Sequence, residues 1–239
     1  MANRAYVSAW AKDFSETAKL ERFGRLLEAA PLSETAGAPF NSLVVRALDV
    51  SETPLREWDL RGQKLSPRAV VQLAGEHQGA DVAYEVNANW DLWTYDLAEN
   101  RWARTPQNLE IISYGEEFDG GIAAEEGHFV INAGFEHLFT GHSGILGTHA
   151  PGASGASSVG GGAAAAASAQ LDPQEVAFLQ AMRDPQRLRE YHEKTRENIR
   201  ALLHWLREAE SRVPLERFRL WSEGEDDLEA RLDEILAVG

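Results

Sequence analysis

The spacing of apolar residues in the first 148 positions switches between two periods, and each period predicts one type of element. Val82, Tyr84 and Val86 alternate with more polar neighbours, which is typical of a strand. Apolar positions from Leu20 to Ala30 recur every three or four residues, which indicates a helix, and Pro31 follows it. The pattern as a whole predicts the order β-α-β-α-β-β-β and favours an α+β fold, with a mixed or antiparallel sheet and helices on one face.

The predicted strands cluster in the second half of this region. They lie at residues 6–10, 42–50, 81–95, 109–114 and 128–135, and a returning strand begins at 101 after a turn at 96–100. Residues 93–102 resemble one hairpin of the kelch repeat family. Kelch propellers repeat such a unit about every 50 residues. The unit occurs once here, so the resemblance predicts a hairpin and no propeller.

A Gly/Ala/Ser-rich stretch separates this region from the C-terminal part of the chain. Residues 149–170 contain no charged side chain and few large apolar ones, a composition that is typical of a flexible linker. We therefore predict an α+β domain at 1–148, a linker at 149–170 and a helical segment at 171–239. In that segment Asp184-Pro185 predicts the start of a long helix, Pro214 its end, and 225–237 a final helix.

Composition and charge exclude several functional classes. The chain has 239 residues, no cysteine, and 38 acidic against 23 basic residues, for a net charge of −15. The absence of cysteine excludes disulfides, thiolate metal sites and a cysteine nucleophile. The acidity argues against binding of nucleic acid or anionic membranes. Since no long apolar run and no secretory signal pattern occurs, we expect a cytoplasmic protein with no membrane partner.

The densest group of candidate ligands lies at 110–149, where four of the seven histidines fall within 22 residues among many carboxylates. Imidazole and carboxylate are the usual ligands of Zn²⁺ or Mn²⁺ when cysteine is absent. The candidate metal ligands are His128, Glu136, His137 and His142. Their spacing does not contain the HExxH motif, and strand geometry keeps His128 and Glu136 well apart. Ordinary strand and turn residues remain the alternative, and no cofactor is predicted.

Aromatic residues and one long amphipathic helix supply the candidate interface. Aromatic side chains are frequent in the energetic centres of protein interfaces. The candidate interface residues are Trp90, Trp93, Tyr95, Trp102, Leu202 and Leu206. Burial of both sheet faces, or a pocket lined by the rings, is the alternative for the aromatics. For the helix, internal packing is favoured over a homodimer or another partner interface.

These observations favour a non-enzymatic protein-interaction or adaptor protein with an acidic surface and an aromatic sheet face. The acidity favours a partner with a basic surface. The competing hypothesis is a metal-assisted hydrolase that uses the histidines and carboxylates of 110–149.

Overall fold

The computed structural model describes residues 3–141 and 173–237 and contains one sheet of seven strands in that part of the chain. Every neighbouring pair is antiparallel, and the order is β3-β2-β4-β5-β6-β1-β7. The strands are β1 (Arg4–Ala11), β2 (Phe40–Ala47), β3 (Arg56–Asp59), β4 (Val82–Asp96), β5 (Arg101–Ser113), β6 (Phe129–Phe135) and β7 (Leu215–Ser222).

Helices α2 and α6 begin at residues whose side chains accept hydrogen bonds from free backbone N–H groups. Ser66 Oγ accepts from Ala69 N at 3.3 Å at the start of α2, and the Asp184 carboxylate accepts from Gln186 N at 2.8 Å at the start of α6. Proline follows each of these caps, in the first helical turn where its missing N–H costs nothing. The helices are α1 (Glu16–Ala29), α2 (Pro67–Ala74), α3 (Ala123–Glu126), α4 (His137–Thr140), α5 (Pro173–Ala181), α6 (Pro185–Arg212) and α7 (Leu228–Ala237).

The main hydrophobic core covers one face of the sheet. Alternate residues of the strands, such as Val7, Val86 and Ile131, pack there against helices α1, α2, α4, α6 and α7. The 28-residue helix α6 contributes a buried stripe that includes Leu202 and Leu206. Burial of this stripe against the sheet shows that the long helix packs inside the chain.

The opposite face of the sheet is covered mainly at one place. There a small cluster that includes Tyr114, Phe118 and Val130 packs under the short segment 118–126. We call the remainder of this side the open face. The β4–β5 hairpin extends past its neighbours, since β2 pairs with β4 only as far as Ala88, and α5 and α6 cover its end.

The structure confirms the predicted α+β class, and the sheet is antiparallel throughout. Two strands were not predicted: β3, and β7 in the segment that was expected to be helical. Because β7 pairs with β1 along Ala5–Ala11, residues 173–237 share both the sheet and the main core with residues 3–141. The predicted linker at 149–170 lies outside the described residues, and the division into segments at 148 and 171 stays a prediction.

Candidate interaction surface

The β1–β7 end of the open face carries aromatic rings and arginines in contact with one another. The rings of Tyr6 and Trp221 stack with their centres 4.3 Å apart and their planes at 15°. The guanidinium of Arg217 lies 4.0 Å from the centre of the Trp10 ring, and that of Arg219 lies 5.7 Å from the Trp221 ring. These five residues form what we call the arginine–aromatic stripe.

Strand register explains why the stripe forms. Trp10 pairs with Arg217, and Tyr6 pairs with Trp221, so these two contacts join directly opposite residues on one face. Arg219 contacts Trp221 from two residues away on the same strand. The indole N–H of Trp221 donates to Ser8 Oγ at 3.0 Å, which fixes the ring. The Tyr6 hydroxyl donates to the Glu223 carboxylate at 3.2 Å. Burial of the hydroxyl, and after it the negative charge of Glu223, raises the pKa of Tyr6. The Trp221 and Tyr6 side chains are therefore already held in position in the absence of a partner.

The two arginines of the stripe are exposed to solvent. Within the described ranges, no carboxylate lies within ion-pair distance of Arg217 or Arg219. Guanidinium groups that rest on aromatic rings keep their hydrogen-bond donors free for an acceptor from outside. This is a local positive feature on a chain of net charge −15.

The centre of the open face is acidic. Glu85 and Glu110 lie there, and burial, followed by the charge of Glu85, raises the pKa of Glu110. Arg46 lies 3.7 Å from the Glu85 carboxylate, and Asn132 donates to Glu110 at 3.4 Å. Such a pair can share one proton, because two adjacent carboxylates resist being charged together.

A cavity of about 400 Å³ lies beside the C-terminal half of β7. Its lining residues are Arg219, Leu220, Trp221, Asp226, Asp227 and Glu229. One of the carboxylates is already used, since Asp227 accepts from Ala230 N at 3.0 Å near the start of α7. The cavity therefore places an acidic wall next to the end of the stripe.

The predicted interface residues lie elsewhere, and the structure distributes them between two environments. Trp90, Leu202 and Leu206 are buried in the main core, where the Trp90 ring packs against Trp205 and Phe139. A partner could reach these three only if α6 left the sheet.

The other three predicted interface residues are half-buried under α5 and α6. The indole N–H of Trp93 donates to Glu197 at 2.5 Å, and Lys194 lies 3.8 Å from the centre of the Trp93 ring. Tyr95 and Trp102 pack in a cluster with Phe178 and Tyr191. Their role at an interface stays a prediction.

The three predicted metal ligands that the structure describes do not converge on one site. His128 Nδ1 accepts from Ala11 N at 3.1 Å while its ring stacks on Phe14, and burial, followed by the charge of Arg22, lowers the pKa of His128. Glu136, which β6 separates from His128, accepts from Gly224 N at 3.1 Å. His137 stacks on Phe135, and His142 lies outside the described residues. In the described part of the chain, no three histidine or acidic side chains converge as a metal site would require.

The arginine–aromatic stripe was not predicted, although the sequence contains a local signal for it. Arg217, Arg219 and Trp221 alternate with Phe218 and Leu220, which is the period of a half-buried strand. Tyr6, Ser8 and Trp10 alternate in the same way in β1. The sequence does not show that these two strands, more than 200 residues apart, are neighbours.

The comparisons with known proteins identify no relative: no protein family model, no curated protein and no solved structure matches this chain. Among residues 3–141 and 173–237, no helix is both long enough and apolar enough to cross a bilayer.

Proposed function

We propose that this chain is a non-enzymatic, cytoplasmic protein-interaction protein, and that its partner binds at the arginine–aromatic stripe. The observation that carries the proposal is the pair of exposed arginines that rest on aromatic rings and have no ion-pair partner among the described residues. Tryptophan, tyrosine and arginine are the residue types most enriched in the energetic centres of interfaces.

Preorganisation supports this assignment. The Trp221 ring is held between the Tyr6 ring and the Ser8 hydroxyl, so little side-chain freedom is left to lose on binding. The net charge of −15 favours the approach of a partner whose surface is basic overall. The stripe would then supply the short-range contacts. Salt screens the distant charges of the chain, so at contact distance the nearby arginines dominate the interaction.

Calorimetry with a partner purified from the source cells tests the proposal. The tagged chain is used to isolate binding proteins, and each identified candidate is purified and titrated against the wild type. We expect Arg217→Glu combined with Arg219→Glu, and separately Trp221→Ala, to weaken the affinity at least about tenfold, or 1.4 kcal/mol. Arg56→Glu on the opposite edge strand, where Arg56 also rests on a ring, is the matched control and should change little.

Two results would overturn the proposal. One is a partner whose affinity is unaffected by changes in the stripe. The other is stoichiometric Zn²⁺ or Mn²⁺ in the purified wild type that His128→Ala or His137→Ala removes, together with hydrolytic activity. That second result would favour the metal-assisted hydrolase instead.

A further inference from the structure

We propose that β7 is a docking edge, at which an extended segment of the partner joins the sheet as an eighth strand. The segment carries acidic residues opposite Arg217 and Arg219 and a basic residue opposite Trp221, beside the cavity. This inference rests on the proposed function and deepens it, because it names the chemistry of the segment that contacts β7.

The backbone of β7 offers the free hydrogen-bonding groups that strand addition needs. β7 is the last strand of the sheet, and apart from β1 no described residue forms a backbone hydrogen bond with residues 215–222. Glu223 N donates to Arg4 O at 3.3 Å, so the backbone groups of Glu223 face β1. In an antiparallel strand this direction alternates from residue to residue, so the backbone groups of every second residue before Glu223 also face β1. The backbone groups of Phe218 and Leu220 therefore point away from the sheet, where a peptide can pair with them. Glu216 is not included, because the register of β7 with β1 is irregular between Arg217 and Leu215.

The charges along this edge define which segment fits. Arg217 and Arg219 lie on the same face, two residues apart, which is about 6.6–6.8 Å along a strand. Acidic residues at alternate positions of an added strand have the same spacing and would lie directly opposite them. Asp226, Asp227 and Glu229 line the cavity beyond, so the next alternate position favours a basic side chain. We assign the segment the antiparallel direction that every pair in this sheet has.

A second copy of the chain fits this edge poorly in the two-fold registers that are centred on residues 217–219. In a two-fold antiparallel pair of β7 strands, a centre at Phe218 places Arg217 opposite the partner's Arg219, and a centre at either arginine places it opposite itself. Like charges directly opposite each other destabilise a strand pair. The other edge strand, β3, is only four residues long and carries Glu57 and Asp59, so it does not offer the same complement.

Nuclear magnetic resonance on the isotope-labelled full chain tests the inference with a synthetic probe. The probe is the blocked peptide Thr-Lys-Thr-Glu-Val-Glu-Thr, and the control peptide Thr-Glu-Thr-Lys-Val-Lys-Thr has its charges reversed. We expect saturable shifts of the amides of residues 215–222 with the probe and at least about tenfold weaker binding of the control peptide. The Arg217→Glu/Arg219→Glu double variant should reverse this preference, and Arg56→Glu should keep it. Unchanged amide signals from β4 and β5 verify that each variant is folded.

The inference is overturned by equal binding of the two peptides, by shifts confined to residues outside β7, or by no binding. It is also overturned if light scattering shows a dimer whose formation protects the β7 amides, because a second copy then occupies the edge. If the peptides fail while a purified partner remains sensitive to Arg217 and Arg219, strand addition alone is wrong. If the affinity of the purified partner is also independent of Arg217 and Arg219, the proposed function is wrong as well.

Discussion

At the scale of single residues, Asn198 shows how one polar side chain joins the C-terminal helix to the sheet. It lies inside α6 with 3% of its surface exposed. Its side-chain oxygen accepts from Trp93 N at 2.8 Å, and its amide donates to Trp93 O at 3.1 Å and to Leu138 O at 3.0 Å. Trp93 lies in the part of β4 that extends beyond the end of β2. Asn198 therefore forms hydrogen bonds with backbone groups that have no partner in β2.

We expect Asn198→Ala to lower the free energy of unfolding by about 2–4 kcal/mol, because it leaves buried backbone groups without partners. Urea titration of the full chain measures the change. Arg200→Ala, at an exposed position of the same helix, should stay within about 0.5 kcal/mol of the wild type. Equal effects of the two substitutions would show that the hydrogen bonds of Asn198 do not stabilise the fold.

Glu110 makes a pH-dependent contribution at the same scale. Its pKa is raised in the folded chain by burial and then by Glu85. The folded state therefore holds this proton more tightly than the unfolded state, and the associated stability is lost as the pH rises through the folded pKa. Glu110→Gln should thus stabilise the chain more at pH 8 than at pH 4, by a margin of about 0.2–1 kcal/mol, the usual size of a cross-strand charge effect.

The check is urea unfolding of wild type and variant at both pH values, with Glu193→Gln at an exposed position of α6 as the control. A stabilisation that is independent of pH, or larger at pH 4, would mean that Glu110 does not share its proton with Glu85 in the folded chain.

At the scale of elements, α6 is stabilised by burial inside its own chain. Leu202 is 1% exposed and belongs to the main core. We expect Leu202→Ala to cost about 2–5 kcal/mol, as for other large-to-small changes in a core, without changing the mass in light scattering. His204→Ala, at an exposed position two residues away, should have little effect on either quantity. A fall in mass with unchanged stability would instead make α6 a dimer helix.

The same scale shows how far the sequence could predict the fold. The apolar stripe from Leu188 to Leu206 and the alternation from Val82 onward are strong local signals, and α6 and β4 follow them. β3 and β7 are edge strands that contain several charged residues, so their apolar content is low and the pattern is easily overlooked. The contacts that build the stripe, such as Tyr6 with Trp221, join distant parts of the chain, and no local period reports such pairing.

At the scale of the whole molecule, the two described segments share one sheet. One of its faces is covered by the main hydrophobic core, and the other is the open face. The main core contains residues from β1 to α7, and β7 completes the sheet beside β1. The helices cover the hydrophobic side, so an approaching partner meets the open face and the two edge strands. Of these two edges, only β7 combines eight residues, exposed arginines and aromatic rings.

Site-specific photocrosslinking in the source cells tests whether a partner binds at β7. A photoreactive amino acid replaces Glu216 on β7 in one variant and Glu57 on β3 in the other; both positions are exposed. We predict that one identified protein is crosslinked repeatedly from Glu216 and not from Glu57, and that Arg217→Glu/Arg219→Glu abolishes the product. Crosslinks to a defined partner from Glu57 alone, or no defined product from Glu216, would contradict the account.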